Sequence, residues 1–572
     1  MVRVNSNDNS KKLKVFYDIA HKAEENLRDL SGYWNILEKQ RYFINAIGIY
    51  DKLYYELMQL NNSDQDIPYK YRILDYGYPV FIRIFYDKDF ASLPGVVLKP
   101  VDSELLLLLN KLLYACGIIG WMHWLIDNVN SGYMSVKRLG SHVWLKFKYK
   151  HHWNEHLEQE YITWYSQCIA SYQSDEYSEL QTISPVVIKE IRDTAFVWNK
   201  SFIGYSNSEQ VESYFNTLAL LDAQQSIHWD VFPPDASFGT IKYGDIVQSI
   251  VDFSGYSMKH LNYAVMLYGI ENNLYLENLV LNIMREDDIE KLIASNLNIS
   301  EPNARHILDL LRLSADKKTY YNLTSAACAP FIKVSSTQCV RSIRGFMDRP
   351  FDFMLYSLKS NHPKEWDRNT NYREQFFRSQ IYSFFNDSRF ICIDRPVVIK
   401  GTNGRTITDL DAVIIDKQSK QTALFQLKWQ DPTNDTVFSL KSKAENYINS
   451  TRTWVNQVLH WIATSSNEEI ARVLNVKKQY IHKETLFIFV MGRTHGNYSS
   501  ENELSSASNV VYGQWYQFLK MTTYRSQHDQ LSLVNLFKIM TETVPYKTRI
   551  IERQTVFKYD RYNIHFGGGF FR

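Results

Sequence analysis

The sequence predicts a multidomain protein of mixed class. A large, mostly α-helical region is expected over residues 1–360, followed by an α/β domain over 361–572. Three observations lead there. A chain of 572 residues, 45% hydrophobic and 15% aromatic, can bury a core in each of several domains, which excludes wholesale disorder. Apolar residues recur at helical spacing through most of the first 360 positions, whereas apolar runs of strand length bunch between 390 and 492. Charge divides at the same place. Residues 361–572 carry 28 Lys+Arg against 20 Asp+Glu, and residues 1–360 carry 36 against 42, for a whole-chain charge of +2. The C-terminal part is therefore the better match for a polyanionic partner, although its excess of 8 is also within ordinary scatter.

Other classes drop out on composition. The five cysteines, at 116, 168, 328, 339 and 392, form no CxxC pair, which argues against a zinc ribbon or a disulfide framework. The N-terminal stretch has no apolar core of the kind a secretory signal needs, and a reducing, cytoplasmic setting is expected. No Walker A loop, GxGxxG or GxSxG element occurs, so an ATP-driven motor is not expected.

Taken in order, residues 12–60 read as helices with aromatic-rich faces (Tyr33, Trp34, Ile36, Leu37, then Tyr42, Phe43, Ile47). Residues 78–86, YPVFIRIFY, read as a strand. Residues 105–126 are long and apolar enough to span a bilayer, but Asn110, Lys111 and His123 interrupt them. A buried helix, or two short ones meeting near Gly117 and Gly120, is expected instead of a membrane span. Residues 141–149 alternate like a strand, and helices then dominate from about 154 to 313. Breakers at Pro233, Pro234, Gly239 and Gly244 place a possible split of this region near 230. His152, His156 and Glu160 fall at i, i+4 and i+8, a spacing that suits either three ligands on one helix face or a solvated polar face. Residues 288–313 read as helix, turn, helix. The second helix would offer Asn303, Arg305 and His306 to a DNA groove, or simply pack as one of an antiparallel pair. A boundary is placed in the polar stretch 359–370, a second polar loop at 498–508, and a basic tail at 545–572.

The segment that bears on chemistry is 408–430, TDLDAVIIDKQSKQTALFQLKWQ. Two apolar strands flank the polar turn DKQSKQ. If the hairpin is symmetric about that turn, Asp416 pairs with Gln421, Asp411 faces Gln426 and Asp409 faces Lys428. Polar groups then gather at one end of a sheet that is apolar on both faces, where unpaired burial is costly. An Asp–Lys ion pair with a Gln hydrogen bond would satisfy them. A hard divalent cation held by carboxylate and amide oxygens would do so as well.

These residues, D-x(14)-QxK, with the elements around them resemble the PD-(D/E)XK nuclease superfamily, the restriction-endonuclease-like fold. The resemblance covers residues 370–495 and implies an αβββαβ core. Its parts would be a first helix at 371–385, strands at 390–400, 408–415 and 422–429, a second helix at 443–464 and a last strand at 484–492. It further implies Asp411 as main metal ligand, Gln426 as second ligand, Lys428 as the water-positioning residue and Glu374 as third ligand, with Asp409 as auxiliary. Glu374 has independent support, since it lies seven residues before Ile381 on the stripe that carries Phe377, Phe384 and Phe385; a first-turn Glu is also what a helix dipole favours. The sequence departs from the family pattern at Gln426, which replaces the commoner acidic residue, and it has no Pro directly before the Asp. The QxK form is that of the Mrr-like branch. The implied activity is Mg²⁺-dependent cleavage of DNA, with Mn²⁺ substituting, in prokaryotic genome defence. An inactive nuclease fold that binds nucleic acid or protein is the alternative. Lys441, Lys443 and Arg452 would face the nucleic-acid backbone or solvent, while Trp429, Tyr447, Trp454 and Trp461 suit the core. The helical region would sense a trigger or bind a protein partner or a second copy.

Overall fold

A computed structural model describes residues 6–570 apart from 63–68, 97, 148–154, 207, 272, 402–403, 432–436, 494–506, 521–531, 543–550 and 560–561. The chain begins with four long helices, α1 (Ser6–Gly32), α2 (Ile36–Asn62), α3 (Tyr69–Phe85) and α4 (Ser103–Asn130), and a hairpin of β1 (Met134–Leu139) and β2 (His142–Phe147). Helices α5 (Glu155–Tyr172), α6 (Ser174–Thr194), α7 (Glu209–Gln224), α8 (Tyr243–Ile270), α9 (Glu286–Leu297), α10 (Glu301–Leu311), α11 (Pro350–Asn361) and α12 (Pro363–Thr370) follow, with short strands and turns between them.

Residues 78–85 are helical, not extended. They close α3, and Tyr78, Val80, Phe81, Ile82 and Phe85 are all buried in the first core. A short apolar run buried all round has no period that separates helix from strand, so packing decides. The apolar segment 105–126 lies in one unbroken helix, α4, started by Asp102, whose carboxylate accepts from Leu105 N at 2.9 Å. By length and composition α4 could cross a membrane, yet 61% of its most apolar window is buried inside the protein. Gly117 and Gly120 do not break it. They admit α3: a Cβ on Gly77 would come within 2.6 Å of Gly117 N, and one on Gly120 would collide with the Tyr76 carbonyl.

α9 and α10 form the expected helix pair, and the three side chains assigned to a DNA groove have partners within their own chain. Arg305 donates twice to Glu290 (3.0 and 2.8 Å), Asn303 accepts from Thr240 at 2.7 Å, and His306 lies 2.9 Å from His362. The apolar side of the pair, Ile289, Ile293, Ala304, Ile307 and Leu308, fills a second core. The polar stretch 359–370 is also helical, spanning the end of α11 and α12, and Trp366 buries against Phe232. The stretch is therefore helical and docked through Trp366 and Asn369, with much of the rest exposed.

The C-terminal unit opens with α13 (Arg373–Ser383). A five-stranded mixed sheet carries β3 (Phe390–Cys392), β6 (Ala412–Asp416), β7 (Gln421–Lys428), β8 (Leu486–Gly492) and β9 (Val510–Gln514), in that order. The strands β4 (Val397–Lys400) and β5 (Thr406–Leu410) form a separate ribbon. β3, β6 and β7 pair antiparallel, and β7, β8 and β9 pair parallel. Helix α14 (Val437–Thr464) makes the crossover from β7 to β8 and covers one face, where Trp454, Val455 and Val458 meet Val413, Ile415, Leu424 and Ile488. The other face, with Ala412, Ile414, Phe425 and Phe489, is covered by Phe377 and Ile381 of α13 and by α15 (Leu533–Glu542). Strands covered on both sides account for their continuous apolar sequence.

Two expectations are corrected here. Residues 390–400 are two strands, β3 and β4, in different sheets. The tail does not trail away: β10 (Ile551–Tyr559) and β11 (Tyr562–Phe570) form a hairpin, and β11 runs parallel to β2, placing Ile564 opposite Val143 in the first core.

Candidate functional site

The hairpin register follows from its turn. Asp416 pairs with Gln421, and the ladder runs to Ala412 opposite Phe425. One step further the strand breaks. Asp411 stands between β5 and β6, its N–H still bonded to Phe425 O at 3.0 Å while β5 turns away to pair with β4. The break is held from the helix side. Arg378 donates to the Asp411 carbonyl at 2.8 Å, and Tyr382 accepts from Val413 N at 2.9 Å and donates to Ile393 O at 2.8 Å. From the other face Trp454 donates its ring N–H to Asp409 O at 2.6 Å.

Asp411 is 2% exposed and Gln426 5%. Asp411 Oδ2 accepts from Gln426 Nε2 and from Leu427 N, the latter at 2.6 Å. Burial, then the carboxylates of Glu374 and Asp409, push the Asp411 carboxyl up to about 7, against the pull of the Leu427 N–H and Lys428. Partial desolvation, then Asp409, push Glu374 upward; Lys428 and Arg378 pull the other way. Glu374 stands at the accessible start of α13, and Lys428 ends β7 half-buried. Asp411, Glu374 and Lys428 thus lie within electrostatic reach of one another at one end of the sheet.

Asp409 departs from the expected arrangement. The break sends it into β5, where it pairs with Val398, is exposed, and forms no ion pair with Lys428. The symmetric pairing stops at Asp411 because the chain changes sheets there. The Lys428 ammonium has no ion-pair partner among the described residues.

Asp416, five residues along from Asp411, gives the contrast. It is fully buried too, but Arg389 grips both its oxygens, and Ser419 and the Gln418 N–H (2.9 Å) complete its shell. Those bonds outweigh burial and hold its carboxyl below the usual range. Asp411 has hydrogen bonds but no cation bonded to it among the described residues.

The residues present fit a divalent cation of the Mg²⁺ type in part. They offer one buried carboxylate, one amide oxygen without a hydrogen-bond partner among the described residues, and the accessible carboxylate of Glu374. Among the described residues no three His, Cys, Asp or Glu side chains gather as ligands. Mg²⁺ keeps several waters and commonly takes only one or two carboxylates from protein, so such a set suffices.

Several supporting residues carried no sequence signal. Arg493 is buried among Phe377, Trp429 and Trp515, with its guanidinium carbon 4.5–5.5 Å from their ring centres, and it forms an ion pair with Asp230 of the helical region. Its backbone N–H donates to Lys428 O at 2.9 Å. Arg373 is likewise buried, 4.2 Å from the Phe232 ring and 5.2 Å from Trp366. Arg378 alone had a cue, lying one turn after Glu374. Lys443 is spent on Asp431 O at 2.9 Å. Tyr447, Trp454 and Trp461 are core, as expected. The side chains of His152, His156, Glu160 and Lys441 lie outside the described residues, as does most of the 498–508 loop.

No protein-family model, curated protein or solved structure matches this chain.

Proposed function

We propose that the C-terminal unit is a Mg²⁺-dependent endonuclease of the PD-(D/E)XK kind that hydrolyses phosphodiester bonds of DNA. The observation that carries the reading is Asp411, a carboxyl buried at a strand break beside Gln426, near Lys428 and Glu374, with no cation bonded to it among the described residues. A buried carboxylate left in that state is costly unless something charged is to occupy the site.

Asp411, the Gln426 amide oxygen and Glu374 would hold Mg²⁺, with Mn²⁺ in its place where supplied. Such an ion, when bound, polarises a phosphoryl oxygen and lowers the pKa of a bound water. Asp411 supplies the charge, and the Leu427 N–H and the Arg378 contact to its backbone keep it aimed. Gln426 gives an oxygen without charge, so affinity is lower than a Glu would confer. Lys428, free of an ion pair among the described residues, orients a water or stabilises charge developing on the phosphate.

A second reading has one observation in its favour. Gln426 satisfies Asp411 through its amide N–H, which an inactive fold serving as a nucleic-acid or protein binding module would retain. Supercoiled plasmid incubated with Mg²⁺ separates the two. The enzyme nicks or linearises it, EDTA stops the reaction, and Asp411→Ala or Lys428→Ala slows it by about 10²-fold or more. Plasmid retained in a mobility-shift assay at low salt, but uncut with Mg²⁺ or Mn²⁺, establishes the module and removes the enzyme.

A further inference from the structure

The helical region encloses a second site, independent of the sheet. A cavity of about 610 Å³ is walled by α3, α4, α5, the end of α7 with the loop after it, and the start of α11. That volume is in the range that holds a small organic molecule.

Most of its charged groups are already matched. Arg344 pairs with Asp75 and, at 3.1 Å, with Asp348; Arg349 lies 3.6 Å from Asp352. His228 Nδ1 lies 2.7 Å from the buried Asp352, which fixes the ring, and its buried Nε2 has no partner among the described residues. Asp222 is the exception. It lines the cavity, is open to solvent there, and makes no side-chain hydrogen bond or ion pair among the described residues. Four carboxylates thus share the wall with two guanidiniums that are already engaged. An anion entering there meets surplus negative charge and no free cation. Tyr76 and Trp124, with ring centres 5.5 Å apart, supply an aromatic wall of the kind that favours cations.

The same wall is not equipped for covalent chemistry. The Cys328 thiol is pushed up to about 12 by burial, so it is not a thiolate. Ser226 Oγ accepts from His228 N at 3.2 Å, and Ser166 Oγ lies 3.0 Å from the carbonyls of Ile162 and Gln225, so neither hydroxyl is set against the imidazole. Nor does Asp222 belong to a group of three metal-binding side chains among the described residues.

We propose that this cavity binds a small organic cation, an ammonium or guanidinium compound, with Asp222 as its counter-ion and Tyr76 and Trp124 as its aromatic wall. The guanidinium or ammonium belongs to a free small molecule or to an Arg or Lys side chain of a peptide. Calorimetric titration of the full chain with butylguanidinium and with its neutral isostere butylurea tests the charge requirement without any substitution. Butylguanidinium is expected to bind at least about tenfold more tightly than butylurea, and Asp222→Asn to lose about tenfold. A Gly-Arg-Gly peptide run beside them assigns the source: tighter binding than butylguanidinium points to a side chain, weaker binding to a free molecule. Equal binding of butylurea, no butylguanidinium binding at millimolar concentration, or unchanged affinity in a folded Asp222→Asn protein overturns the proposal. Should Asp222→Asn fail to fold by circular dichroism, the comparison on the unaltered protein decides.

Discussion

Replacing Asp411 by Asn is expected to stabilise the metal-free protein, by an amount that depends on pH. The Asp411 carboxyl moves from its ordinary value of 3.8 to about 7, a rise of about three units. At 1.36 kcal/mol per unit this is a penalty of about 4 kcal/mol for keeping the group ionised in the fold. The folded state binds the proton more tightly than the unfolded state, so between those two values stability falls as pH rises. The penalty is complete above pH 7. Asn has no proton to lose and keeps an oxygen for the Leu427 N–H and Gln426 contacts. In EDTA, Asp411→Asn should therefore match the unaltered protein near pH 4, gain steadily up to about pH 7 and level off there, where a C-terminal unit of this size would melt about 8–16 °C higher. Mg²⁺ should reverse the order, raising the midpoint of the unaltered chain and leaving that of the variant where it was. Thermal midpoints at pH 5, 6, 7 and 8, with EDTA or Mg²⁺, make the measurement. A variant less stable than the unaltered protein at pH 8 in EDTA, or a gain that does not change with pH, would refute the reasoning.

Other substitutions probe the remaining supports. Gln426→Glu should tighten Mg²⁺ binding by about tenfold, read by calorimetry, and destabilise the metal-free protein above neutral pH, because two carboxylates would then touch. Asp230→Asn leaves the buried Arg493 guanidinium without its counter-charge, at a cost of about 3–5 kcal/mol read from urea denaturation; an unchanged midpoint would show the pair to be incidental. Gly120→Ala drives a methyl into the Tyr76 carbonyl and should cost about 1–3 kcal/mol by forcing α3 off α4, seen as a lower thermal midpoint with no change in Mg²⁺ binding.

What could be read from the sequence was what short-range geometry controls. The turn DKQSKQ sets the pairing of Asp416 with Gln421, and every pair back to Ala412 follows from it. The crossover helix and last strand follow from uninterrupted periodicity at 443–464, which lies within α14, and at 484–492, of which β8 takes Leu486–Gly492. The failures have a common cause in contacts distant along the chain. Residues 78–85 are helical because α4 packs against them. The tail joins a sheet because β2 lies ready to accept it. Asp409 leaves Lys428 because β4 offers β5 a partner in another sheet. The buried arginines 373 and 493 were illegible for a related reason: the rings that cage them come from different parts of the chain, and only the fold brings them together.

The break at Asp411 explains why one strand can carry two buried aspartates in opposite electrostatic states. At Asp416 the turn supplies Arg389, a serine and backbone donors, and the carboxylate is stabilised as an ion. At Asp411 the chain leaves the sheet for β5, and burial together with the nearby carboxylates of Glu374 and Asp409 outweighs the pull of Lys428 and of the Leu427 N–H. The geometry around this carboxyl is nonetheless fixed. Arg378 and Leu427 fix Asp411, and the Arg493 N–H ties down the backbone of Lys428. Arg493 is in turn held by Asp230, so the end of β7 that carries Lys428 is anchored through one buried ion pair to the helical region. Such rigid support around a buried carboxyl with no cation bonded to it among the described residues is what the proposed Mg²⁺ site would require.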